Sequence, residues 1–202
     1  MTPREWTRVH FEPHEAQDFR DKSDRLLIMG ESHYGDDINS NKTKEVIREH
    51  LAEECRLAFF TKVAKAVRGE IAADIEEQRQ FYADVAFYNY VQVSIDAVRM
   101  APTSDQFDYS VPAFREVLRT LKPTKIIALG WRLYDNTPSF WDNGDRAWER
   151  ESDSGPQMHP KGAQGCFVDG TSKYPTLFIS HPSGRGFSSE AWHTRIAAFL
   201  KD

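Results

Sequence analysis

The hydrophobic positions of the chain fall into two periods that alternate along its length. Residues 25–29, in which Leu26 to Met29 form a continuous apolar run that drives into Gly30, read as a buried strand. Residues 84–93, DVAFYNYVQV, are β-branched and aromatic, and predict a second strand with Asn89 embedded in it. Pro123 stops the chain before KIIALG, a third buried strand ending in Gly130, and TLFIS over 176–180 is a fourth that ends at His181-Pro182-Ser183-Gly184. Between these runs the spacing changes to three and four. Val46, Ile47, Leu51, Phe59, Phe60, Val63 and Val67 predict one long amphipathic helix over 43–68, closed by Gly69. A second helix is expected over 111–121, and Ser188 or Ser189 can cap a last one running through Leu200. Residues 136–173, rich in glycine, proline and scattered charge, predict a long loop able to carry a hairpin.

Strands that are apolar throughout and alternate with helices are buried on both faces. The expectation is therefore an α/β protein: one domain over residues 1–202, core about 25–200, with three α/β/α layers around a mostly parallel four-stranded sheet. In such sheets ligands bind beyond the carboxyl ends of the strands. GESHY, Asn89, GWR and HPSGRG all fall near those ends.

Composition narrows the class of protein. With 202 residues, 12% of them aromatic, the chain can bury one full core and is not disordered. No apolar run is long enough to span a membrane, and the charged start MTPREWTRVHFEPHE does not read as a signal peptide, so a cytoplasmic protein without a membrane partner is expected. Two cysteines cannot build a four-thiolate cluster. Cys55, among helical apolar positions, reads as buried and inert. The net charge of −5 argues against bulk electrostatic grip on nucleic acid, although Lys173, Arg185, Arg195 and Lys201 leave a locally basic carboxyl-terminal stretch.

The candidate chemistry begins at Glu31-Ser32-His33-Tyr34, an acid, a hydroxyl, an imidazole and a phenol at the mouth of a strand. A serine esterase would use Ser32 as nucleophile, as in the opening block of the SGNH hydrolases, with His181 as base. Position 178 is Phe where the final block of that family carries an aspartate, and Tyr34 replaces the last glycine of a nucleophile elbow. A metal site from His33, Asp36 and Asp37 lacks a second histidine at useful spacing, and no metal or cofactor is expected.

A third option is a pocket for an extruded base. GESHY, Asn89 in FYNYVQ and HPSGRG resemble, in order and spacing, the motifs of the uracil-DNA glycosylase superfamily, across residues 25–200. The resemblance implies hydrolysis of the N-glycosidic bond of uracil or another deaminated base in DNA, by a monomer that uses no cofactor. It implies catalytic roles for Glu31, Ser32 and His181, base binding by Gly30, Tyr34 and Asn89, and DNA contact by Ser183, Gly184 and Arg185. Arg185 would fill the gap left by the base. Here His33 replaces the usual proline, Ser32 stands where Asp or Asn is common, and an iron–sulfur cluster is excluded by the cysteine count.

The chemistry supports those roles without the family. Glycosidic cleavage leaves a cationic sugar and an anionic base, so the site must stabilise charge on uracil O2 and position a water. His181 can donate to O2, and Glu31 can hold the water. Asn89 complements O4 and N3–H, and Tyr34 can bar the thymine methyl. Two alternatives stand beside it: a binding protein of the same fold without turnover, and the Ser32 esterase. Plain structural roles are also open. Glu31 can pair with Arg185 or Arg132, Trp131 can be core, and His10, His14, His50, His159 and His193 can be surface residues.

Overall fold

The computed structural model describes residues 8–35, 39–96, 100–150 and 162–202. Asp36, Asp37 and His159, named above, lie outside them. The apolar runs form the strands they predict: β1 (Leu26–Gly30), β3 (Ala86–Asn89), β5 (Lys125–Leu129) and β8 (Ser172–Ile179). They pair in parallel in the order β3-β1-β5-β8. The sheet has six strands, not four. β7 (Ala163–Asp169) pairs antiparallel with β8, and β6 (Trp148–Arg150) pairs antiparallel with β7, so the predicted loop supplies the far edge of the sheet. The protein is thus α/β with a mixed central sheet.

Alternate residues of the parallel strands enter two separate cores, which is why these strands carry no polar face. Leu27, Met29, Tyr88, Ile126, Ala128 and Phe178 pack on one side, with Phe114, Val117 and Leu118 of α5 (Val111–Leu121). Ile28, Phe87, Ile127, Leu129, Leu177 and Ile179 pack on the other. There they meet Ile47 of α1 (Lys42–Leu51), Phe60 and Val63 of α2 (Ala58–Arg68), Phe81 of α3 (Ile75–Tyr82) and Ile196 of α7 (Ser189–Lys201). Ser188 caps α7, accepting from the Ala191 amide at 3.2 Å. Shorter elements complete the set: a two-stranded parallel ladder of β2 (His33–Tyr34) and β4 (Ser94–Ile95), α4 (Ser104–Tyr109) and α6 (Trp131–Asp135). Among the described residues no helix is long and apolar enough to cross a membrane.

Three local expectations change. The helix predicted over 43–68 is two helices, because the chain turns between them with Glu53 at φ 63°. The side chain of His50 holds this turn: Nδ1 accepts from the Leu57 amide at 3.1 Å and Nε2 bonds Gln78 Oε1 at 2.8 Å. His50 is therefore fully buried rather than a surface residue. Cys55, which falls in the same turn, is exposed rather than buried.

Candidate functional site

β1 and β3 lie side by side with Gly30 opposite Asn89. A Cβ on Gly30 would stand 2.2 Å from Asn89 Oδ1, so the absence of a side chain at position 30 is what lets the Asn89 amide lie across β1. Gln92, fully buried, braces the same residue from behind. Its Nε2 donates to the Asn89 carbonyl at 2.7 Å, and its Oε1 accepts from the His10 and Phe11 amides at 2.8 and 3.0 Å.

Glu31 follows Gly30 and is 6% exposed. Its carboxylate is held by one edge of a guanidinium: Arg132 Nε donates to Oε2 and Nη2 to Oε1, each at 2.7 Å. Arg132 reaches it from α6, which begins as soon as the chain leaves β5 at Gly130. Of the two pairings open to Glu31 from the sequence, the structure has Arg132. The bond to Glu31 raises the Arg132 pKa above its ordinary value despite partial burial.

His181 leaves the end of β8. Its Nδ1 accepts from the Ser183 amide at 3.2 Å, so in the neutral ring the proton sits on Nε2, which has no hydrogen-bond partner among the described residues. Burial, reinforced by the Arg132 charge, lowers the His181 pKa below the ordinary histidine value. The ring is thus a neutral N–H donor. Phe59 of α2 flanks it, with ring centroids 5.4 Å apart.

These residues share one pocket of about 510 Å³. Glu31, Ser32, His33, Tyr34, Asn89, His181 and Ser183 line it, together with Lys42, Thr43, Val46, Leu57, Ala58, Phe59, Phe60 and Phe87. The three motifs read from the sequence therefore do converge. No protein-family model matches the chain, and no curated protein shows significant similarity to it.

The remaining candidates differ in what surrounds them. Ser32 Oγ is buried with no hydrogen-bond partner among the described residues, so no described histidine bonds it to activate it. Gly184 and Arg185 are exposed on the loop beyond His181, tightened by a 2.7 Å bond from the Gly184 amide to the His181 carbonyl. Lys62 Nζ ties the same loop to α2 through the Pro182 carbonyl at 3.0 Å. Lys173 is not part of this rim. It opens β8 at the opposite end of the sheet and pairs with Glu149 at 3.1 Å. Trp131 is half-buried against both cores.

Sequence reasoning passed over Phe59, Thr43 and Lys42 as pocket residues. Phe59 follows the apolar period of its helix, and that period cannot tell a core residue from one lining a cavity. Lys42 is buried with its Nζ donating to the Tyr34 carbonyl at 2.8 Å, a contact that brings α1 to the GESHY segment.

Proposed function

We propose that the pocket takes an extruded nucleobase and that the protein hydrolyses the N-glycosidic bond of uracil or another deaminated base in DNA. The observation that carries this reading is the joint presence of a neutral Nε2–H donor on His181, a base-edge reader in Asn89 and an arginine-oriented carboxylate in Glu31 on one pocket wall. As the C1′–N bond breaks, its electron pair moves onto the base. The Nε2–H of His181 donates to the oxygen on which that charge develops, and a neutral donor fixed before the reaction needs no reorganisation. Arg132 binds each Glu31 oxygen once, which leaves the other lone pairs to orient a water toward C1′ and receive its proton. Phe59 and the aliphatic wall offer a face for the base to stack on.

The resemblance of GESHY, Asn89 and HPSGRG to the uracil-DNA glycosylase superfamily supports the same chemistry. So do the four adjacent parallel strands that place the motifs at one edge. A pocket complete within one chain is compatible with a monomer. The esterase reading loses support from the isolated Ser32 hydroxyl. The non-catalytic reading differs in one outcome, turnover. Purified protein incubated with oligonucleotides that each carry one deaminated base, followed by alkaline cleavage, separates them. Strand scission at one of those bases is expected, and binding without scission would leave a base-binding protein.

A further inference from the structure

The chemistry above leaves a buried histidine of the pocket unused. His33 is 7% exposed, fixed in the backbone by pairing with Ser94 and packed edge-on against Phe11 with centroids 4.7 Å apart. Its Nε2 lies 3.1 Å from Asn89 Nδ2 and 2.9 Å from Thr43 Oγ1. An imidazole nitrogen either carries a proton or offers a lone pair. Facing an amide nitrogen, which can only donate, Nε2 has to be the acceptor, and the ring proton then sits on Nδ1. One N–H of Asn89 is committed to His33. Oδ1, which has no hydrogen-bond partner among the described residues, remains for a ligand together with the second N–H.

We infer that His33, through the Nε2 lone pair, locks the orientation of the Asn89 amide and makes the pocket select bases that present an N–H beside a carbonyl. The inference rests on the base-reading role proposed for Asn89. Uracil offers N3–H as donor and O4 as acceptor. Cytosine offers the reverse, N3 as acceptor and the 4-amino group as donor. An unrestrained amide serves both by rotating half a turn. The rotated amide would set the Oδ1 lone pairs against that of His33 Nε2, so cytosine gains its edge contacts only by losing the His33 bond or by forcing the ring proton from Nδ1 to Nε2. Thr43 does not make the choice. Its hydroxyl can donate to the Nε2 lone pair or accept from an Nε2–H, and it tolerates either ring tautomer.

The first test reads the ring itself. In the full ¹⁵N-labelled chain at neutral pH, the His33 Nε2 resonance should fall in the unprotonated range, and a protonated Nε2 overturns the lock whatever the protein cleaves. The second compares single-stranded oligonucleotides with uracil or cytosine at one position. His33→Leu should narrow the uracil preference by about tenfold, the scale of one discriminating hydrogen bond. Thr43→Val, which removes only the tolerant hydroxyl, should keep the preference or sharpen it. If His33→Leu does not fold, the tautomer and the Thr43→Val result decide. A folded His33→Leu with the wild-type preference overturns the lock while base reading by Asn89 stands. A wild type that treats the two bases alike overturns both.

Discussion

The bidentate pair of Arg132 and Glu31 stands at the carboxyl ends of the parallel strands, and the cluster of Arg115, Arg119 and Asp169 stands at their amino ends. Each opens on a concavity, of about 510 Å³ and about 920 Å³ respectively. At the amino end the polar groups are occupied by one another. Asp169 takes Arg115 Nε at 2.9 Å and Arg119 Nε and Nη2 at 2.5 and 3.0 Å, Arg115 also reaches Asp142 at 2.8 Å, and Arg25 Nε bonds the Lys122 carbonyl at 2.7 Å. That end ties the β7–β8 hairpin to α5. At the carboxyl end, Asn89 Oδ1 and His181 Nε2 are held in place yet have no partner among the described residues. A larger hollow with more arginines is tied up in structure, and the smaller one, with oriented groups left unsatisfied among the described residues, is the end to which the proposed chemistry is assigned.

The largest effect expected from that contrast is on catalysis. His181→Ala should lower kcat on a uracil oligonucleotide by roughly 10²–10³, the cost of one preorganised oxyanion donor. Binding to an uncleavable analogue should change far less. Equal losses in rate and affinity would reduce His181 to a binding or folding residue.

Next in size is a crossed pair of ion-pair mutants. Asp169→Asn leaves two arginines without their shared carboxylate at a nearly buried position, and should cost about 2–4 kcal/mol of stability. At about 2–4 °C per kcal/mol for a chain of this length, the melting temperature should fall by roughly 4–16 °C. Cleavage by the folded fraction should be unchanged. Arg132→Leu should also cost stability, because it leaves the equally buried Glu31 carboxylate unpaired, but unlike Asp169→Asn it should bring a clear loss of kcat in the folded fraction, because it frees Glu31 from its orientation. If both mutants lose stability and neither loses rate, the contrast between the two ends is wrong.

The pH dependence separates the same regions. Burial holds His181, His14 and His50 below the ordinary histidine value, so the unfolded chain takes up protons first as pH falls. Stability from these rings is complete above about 6.5 and drains away as pH drops from there through their folded values. Asp169 behaves differently. Burial pushes its pKa up, but the hydrogen bonds from Arg119 and Arg115 outweigh it and hold the group below its ordinary value. Its stability is present above the ordinary aspartate range near 3.9 and disappears only below it. Cleavage should therefore keep its neutral-pH rate to below pH 6.5, where His181 still carries one proton, and chemical denaturation should show two acid steps. In Asp169→Asn only the lower step should shrink.

Much of this arrangement was legible in the sequence, and the misses have physical causes. β1, β5 and β8 announced themselves because burial on both faces leaves no polar alternation to confuse with a helix. The convergence of Glu31, Asn89 and His181 followed from parallel strands having their carboxyl ends on one edge. β7 was hidden by Gly165, which reads as a turn residue. In the structure a Cβ there would stand 2.3 Å from the Glu149 carbonyl oxygen and 2.7 Å from the Trp148 ring, so the glycine serves close strand packing. The break after Leu51 depends on His50 reaching forward to the Leu57 amide, a contact that apolar spacing does not encode. Arg132 was one of two arginines able to meet Glu31, and only the placement of α6 decides between them.

The smallest effect sharpens the comparison at the surface. Arg185 is exposed on the loop after His181, at the pocket end, whereas Lys173 sits across the sheet and is paired with Glu149. If DNA approaches only the carboxyl edge, Arg185→Ala should lower the salt slope of DNA binding by about one phosphate contact, and Lys173→Ala should leave it unchanged. The guanidinium of Arg185 can also stack in the gap left by an extruded base, so its loss should weaken action on duplex substrates more than on single strands, where no partner base has to be held off. Salt titrations of binding, run with both substrates and both mutants, give all four comparisons. A slope that falls with Lys173→Ala would carry the DNA path along the amino-end groove, and a single-strand loss equal to the duplex loss would make Arg185 a phosphate contact alone.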